Sequence, residues 1–112
     1  MSVSVANIIP RKFAENTQTE QYRSQTNTQV IIDKFTATNI SAANVVFSAN
    51  LVASGGSATD SNLVLDARVI AAGESYLCPE LIGQILEADG YISTLSDTAS
   101  ALTISASARL IT

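Results

Sequence analysis

The stretch that decides the fold is Ala101–Ile111, ALTISASARLI, in which every second residue is apolar. Between the apolar positions lie Thr103, Ser105, Ser107 and Arg109. Successive side chains of a strand point to opposite faces, so the pattern predicts a strand with one face on a core and the other in water. Antiparallel sheets supply that setting.

Similar short apolar segments follow one another along the chain from Thr28. Turn-forming residues separate them, among them the pair Gly55-Gly56 and the tripeptide Ala88-Asp89-Gly90. A run at 81–86 is compatible with either a strand or one helical turn. Predicted strands lie at 30–40, 45–51, 63–69, 75–78, 91–95 and 101–111. This spacing predicts an all-β fold, an antiparallel β-sandwich or jelly roll of about seven or eight strands.

Residues 1–27 differ from the rest in composition, because 16–29 is dominated by Asn, Gln and Thr. We therefore predict an extended N-terminal arm at 1–27 and a β-sandwich domain at 28–112. The arm finds a groove on its own domain or on a neighbour, and the stretch around 18–24 is suited to adding an edge strand. Partner-binding residues are expected in the arm: the apolar Val3, Val5, Ile8, Ile9 and Phe13, with Arg11 and Lys12 pairing acidic groups.

Catalytic chemistry has little support in the sequence. The chain has no histidine, one cysteine (Cys78), and only Lys12 and Lys34 as lysines. A nucleophilic serine or cysteine needs a base within reach, and zinc prefers histidine and cysteine ligands. The acidic residues fall mostly at turns, where they are expected for backbone reasons. We expect no enzyme activity, no metal site and no cofactor.

The net charge and the distribution of charged and apolar residues limit the kinds of partner that we expect the protein to bind. The net charge is −4, with six basic residues spread over the chain, so nucleic-acid binding is not expected. No window reaches 18 continuous apolar residues, and the first residues do not resemble a signal peptide, so we expect neither membrane contact nor secretion. Charged residues make up 14% of the chain against a usual fraction of about 25%, as in surfaces that meet other protein.

Four segments resemble parts of small β-sandwich proteins encoded by tailed bacteriophages. They are VIIDKFTATNIS at 30–41, LVLDARVIAAGESY at 63–76, LEADGYIST at 86–94 and ASALTISASARLIT at 99–112. Members of that group carry a Leu-Glu-x-Gly-Asp-like hairpin before the last strand. Here the hairpin is Leu86–Gly90, with Asp89 and Gly90 in the reverse order.

The resemblance implies a structural virion protein that binds major capsid protein or other virion proteins. It implies a capsid decoration or cement protein, located on the capsid surface, assembled in the host cytoplasm and acting as a homo-oligomer, a dimer or trimer. A head–tail connector or tail protein is the alternative within this class. A receptor- or glycan-binding module, with its ligand held by loops 54–62 and 96–100, is the alternative from another class.

Overall fold

A computed structural model describes residues 1–112 and confirms the predicted all-β class. One short 3₁₀ turn at Asp60–Asn62 is the only helical element. The nine strands are β1 Val3–Phe13, β2 Thr19–Arg23, β3 Gln29–Asn39, β4 Val45–Val52, β5 Leu63–Ile70, β6 Ser75–Tyr76, β7 Ile85–Leu86, β8 Tyr91–Ser96 and β9 Leu102–Ile111.

The strands form two antiparallel sheets that pack face to face. The first sheet has the order β1-β9-β3-β6, with β7 also beside β3, and the second has the order β2-β8-β4-β5. The chain pairs with itself about the connection between β4 and β5: β3 with β6 and β7, β2 with β8, and β1 with β9. Two further pairings, of β9 with β3 and of β8 with β4, join these strand pairs into the two sheets. Of the two predicted architectures, the order is that of a jelly roll.

The core lies between the sheets and is built from the alternating residues that the sequence analysis singled out. In β9, Leu102, Ile104, Ala106 and Ala108 are buried, while the residues between them face outwards. The two sheets meet at aromatic side chains, because the rings of Phe35 in β3 and Phe47 in β4 lie 6.2 Å apart. The ambiguous run at 81–86 begins in a turn and ends in the short strand β7.

The structure corrects the division of the chain into an extended arm at 1–27 and a β-sandwich domain at 28–112. β1 pairs with β9 and forms one edge of the first sheet, and β2 pairs with β8 and forms one edge of the second. Ile8, Ile9 and Ala14 belong to the same buried cluster as the rest of the core. The segment therefore packs on its own domain, and the strand expected around 18–24 is β2.

The sequence pattern did not predict β1 as a strand of the core because β1 pairs irregularly with β9 at two points. Its register against β9 shifts between Ala6 and Ile9 and again between Ile9 and Lys12. The first shift places the consecutive residues Ile8 and Ile9 both in the core. A bulge of this kind breaks the two-residue alternation that marks a strand in a sequence.

Candidate docking face

The predicted partner-binding residues separate into a buried set and an exposed set. The side chains of Ile8 and Ile9 are 7% and 1% exposed, so they hold β1 to the core and are not available to a partner. For these two residues the partner-binding assignment is corrected. The other five are exposed: Val3, Val5, Arg11, Lys12 and Phe13.

Val3 and Val5 lie at the end of two rows of side chains that cross the outer face of the first sheet. Residues directly opposite each other in neighbouring strands point to the same face. The register places Val3 beside Ile111, and Val5 beside Arg109, in β9. The row of Val5 continues through β3 and β7, where Ile31 lies beside Arg109 and Ile85 lies beside Ile31, whereas the row of Val3 ends at Gln29 in β3.

We call Val3, Val5, Ile31, Ile85 and Ile111 the apolar rows. Val3, Val5 and Ile85 are more than half exposed, and Ile31 and Ile111 are half-buried. Strands from both ends of the chain and from its middle contribute to this surface. Aliphatic side chains that cross four strands and face solvent are typical of a surface that meets another protein.

Arg109 lies between the apolar rows and is already paired within the chain. Its Nε donates to both carboxylate oxygens of Asp33, at 3.0 and 3.2 Å. Asp33 follows the inward-facing Ile32, so its side chain lies on the outer face, and the register shift between Ile32 and Lys34 places Lys34 on that face as well. Because both partners are exposed, the pair stabilises the fold by less than about 1 kcal/mol. Its main effect is to direct the Arg109 guanidinium towards Asp33.

A depression of about 390 Å³ lies next to the apolar rows on the same face. Two cations line it, Arg11 from β1 and Lys34 from β3, and neither belongs to an ion pair within the chain. We call this site the basic depression; its remaining polar lining is Asn7, Thr36, Ser105 and Ser107, with no acidic residue. With its amide oriented to donate, Asn7 bonds the Ala106 carbonyl at 2.9 Å. The basic depression therefore offers hydrogen-bond donors and positive charge to a negatively charged group.

Lys12 has a different role from Arg11 although the two are adjacent. Its Nζ lies 2.8 Å from Glu15 Oε2 in an exposed ion pair. Desolvation acts to raise the pKa of Glu15, but hydrogen bonds from Lys12 and Gln21 outweigh it, and the pKa lies below its usual value. Lys12 therefore has an acidic partner within its own chain, whereas Arg11 shares the basic depression with Lys34.

The docking face, meaning the apolar rows and the basic depression together, includes residues that the sequence analysis did not select. Its apolar and charged members that were not selected are Ile31, Lys34, Ile85 and Ile111. Ile31 lies in the run Val30-Ile31-Ile32, whose neighbours are fully buried, so composition alone does not mark it as outward-facing. The available signal is the alternation of β9, which assigns Arg109 and Ile111 to the face opposite Ala108.

A glycan site would use exposed aromatic rings, and a guanidinium group of the protein lies over two of the three tyrosine rings. The guanidinium of Arg23 stacks over Tyr91 at 4.5 Å, and that of Arg68 stacks over Tyr76 at 4.3 Å. Burial and the neighbouring Glu80 carboxylate raise the pKa of Tyr76 to about 12. These contacts weigh against carbohydrate binding by ring stacking, which needs an open aromatic face.

Two further properties of the structure bear on the class of site. No three metal-ligating side chains lie close enough together to hold an ion. No helix is long and apolar enough to cross a membrane.

Comparison with solved structures finds a match that covers nearly the whole chain. A chain in the structure of infectious bursal disease virus Gx strain aligns with 97% of this chain at a TM-score of 0.64. The sequence identity is 12%, and the alignment covers 32% of that chain, so this protein spans about a third of its length. At this identity the match shows a shared fold. No family model matches the chain, and no curated protein does.

Proposed function

We propose that the chain is a non-enzymatic structural protein of a tailed-bacteriophage virion. In this proposal it is a decoration or cement subunit that binds assembled capsid protein through the docking face. The observation that carries the proposal is the position of the apolar rows and the basic depression side by side on one sheet. The fold shared with part of a chain from a virus structure supports it, as does the resemblance of four segments to phage virion proteins.

The chemistry of the docking face defines the partner surface that would complement it. An apolar patch would cover Ile31, Ile85 and their neighbours, and it would supply most of the affinity by removing them from water. An acidic side chain beside that patch would enter the basic depression. Complementary charge would fix the register on the lattice and speed association more than it would add affinity.

Cosedimentation with empty phage heads tests the apolar part of the docking face. Ile85→Asp should weaken saturable binding by at least about tenfold, because it places a charge among side chains that lose their contact with water when the partner binds. The matched control is Val69→Asp, since Val69 is 51% exposed and Ile85 is 54% exposed, but Val69 lies on β5 of the other sheet. Equal binding by the two variants would refute the docking face.

Charge reversal tests the basic depression. Arg11→Glu should weaken head binding, whereas Lys12→Glu has the same change in charge at the neighbouring position and should bind nearly as the wild type does. Wild-type protein that does not bind heads would refute the capsid role. Copy number then separates the alternatives within the class, because a capsid lattice offers many equivalent sites and a connector or tail offers one small ring.

A further inference from the structure

The edges of the two sheets differ in how they are protected against pairing with another chain. Proteins protect such edges with charge, proline, bulges or short length. β2 has five residues and carries the pair Arg23–Glu20, and β6 and β7 have two residues each. β5 presents exposed Asp66 and Arg68, pairs irregularly with β4, and is bent at Ala67, whose φ is 49°.

β1 is protected over only part of its length. Its second half contains Pro10, Arg11 and Lys12 and both register shifts against β9. Its first residues, Val3–Ala6, together with the preceding Ser2, pair regularly and contain no charged side chain, proline or bulge. Val5 is 82% exposed there. Among the edge strands, this stretch is the one that carries none of these protections.

The hydrogen bonds to β9 show which backbone groups of this edge are free. Ser2 and Thr112 exchange both of their backbone hydrogen bonds, each at 2.9 Å. Antiparallel pairs alternate between bonded and non-bonded, so Ser4 and Ala6 also bond to β9. The N–H and C=O groups of Val3 and Val5 therefore point away from β9, towards a chain that would lie beside β1.

We propose that this edge pairs with the same edge of a second copy, antiparallel and about a two-fold axis at Ser4. The sequence Val-Ser-Val at 3–5 is the same in both directions and has a small residue on either side, Ser2 and Ala6, so it suits an isologous contact. Val3 of each copy lies opposite Val5 of the other, and each such pair exchanges both backbone hydrogen bonds. The two first sheets become one continuous sheet, and the apolar rows of both copies join across the axis.

Charge permits a second copy as the occupant, and the symmetric sequence at 3–5 favours it over a different chain. Like charges directly opposite each other destabilise a strand pair, and a protein of net charge −4 meets its own copy with that disadvantage. No side chain from Met1 to Pro10 is charged, so the edge can meet itself without such a pair. The charged residues Arg11 and Lys12 lie beyond the end of the paired segment. This inference does not depend on the proposed virion role.

Cysteine cross-linking of the full chain tests the axis. Ser4→Cys places two thiols at a non-hydrogen-bonded pair, where the Cα atoms lie about 4.5 Å apart and a disulfide can form. Ser2→Cys is the matched control on the same exposed edge, because its two copies would lie about 14 Å apart across the axis. Cys78 is buried and does not compete. The expected result is rapid disulfide dimerisation of Ser4→Cys under mild oxidation, and at most slow dimerisation of Ser2→Cys.

Analytical ultracentrifugation supplies the second test. Val5→Pro removes an N–H group that points away from β9, so the bonds within the protomer remain. The variant should raise the dissociation constant of the dimer by about tenfold or more, because each dimer loses two hydrogen bonds. Val5→Thr keeps the donor and should dimerise nearly as the wild type does. Equal cross-linking of the two cysteine variants, or unchanged dimerisation of Val5→Pro, would overturn the inference whatever other assembly the protein forms.

Discussion

Replacing Ile9 by alanine is the sharpest test of whether the N-terminal segment belongs to the folded domain. Ile9 is 1% exposed and lies opposite Ala106, itself 3% exposed, at the bulge of β1. The change removes roughly three carbon groups at about 0.8 kcal/mol each. Adding a cavity term, we expect the free energy of unfolding to fall by about 3 kcal/mol.

The measurement is urea unfolding followed by far-ultraviolet circular dichroism. A loss of this size corresponds to a fall in Tm of about 10 °C in a domain of this length. The control is Val5→Ala in the same strand, which should change stability by less than about 0.5 kcal/mol because Val5 is exposed. A loss below about 1 kcal/mol for Ile9→Ala would mean that the segment is an arm and that 28–112 folds without it.

Three further predictions concern buried groups. Asn39→Ala should lower the free energy of unfolding by about 2 to 4 kcal/mol in the same assay, since the amide of Asn39 donates to the carbonyl of Ile70 at 2.9 Å inside the core. Burial raises the pKa of Cys78 from 9.0 to about 12, so its thiol should resist alkylation at pH 8 until urea unfolds the protein. Because the unfolded thiol ionises first, stability should fall as the pH rises from about 9 towards 12, and Cys78→Ala should reduce that fall. Gly90→Ala should lower Tm, because the added Cβ would lie 3.0 Å from the Val52 carbonyl oxygen.

The fold could be predicted from the sequence because most strands keep a regular alternation. β9 is the clearest case, and its buried residues are the apolar ones of the pattern, from Leu102 to Ala108. The turn at Ala88-Asp89-Gly90 was also predictable, and Asp89 has the positive φ of 63° that such turns favour. It is not a hairpin, because it connects β7 of the first sheet to β8 of the second. Local sequence is sufficient where one face is buried and the turn residues are distinctive.

β1 could not be assigned in the same way, for a physical reason. Its alternation places Val3 and Val5 outwards, and the bulge then turns both Ile8 and Ile9 inwards. A segment that breaks period and contains Pro10 does not look like a strand of the core. Its pairing partner is β9, at the opposite end of the chain, and no local pattern reports such a contact.

The docking face could not be predicted from the sequence, for a related reason. It is defined by side chains that share a face only through register, such as Val5 beside Arg109 and Ile31 beside Ile85. The sequence identified Val3, Val5 and Arg11 as candidates, but it grouped them with the buried Ile8 and Ile9. Exposure in the folded state separates those two sets, and exposure depends on the whole sheet.

The docking face and the pairing of β1 should respond differently to salt and to mutation. Attraction to the basic depression is screened over a Debye length of about 10 Å at 0.1 M salt and about 3 Å at 1 M, so added salt should weaken particle binding. Pairing of the β1 edges uses backbone hydrogen bonds and apolar contacts, so the dimer fraction should change little. Two docking faces on one continuous sheet would bind a lattice with avidity. Because Val5 also belongs to the apolar rows, Val5→Pro should weaken particle binding more than Val5→Thr does. Arg11→Glu should leave the dimer fraction unchanged, and a dimer lost in Arg11→Glu would show that the two surfaces are not separate.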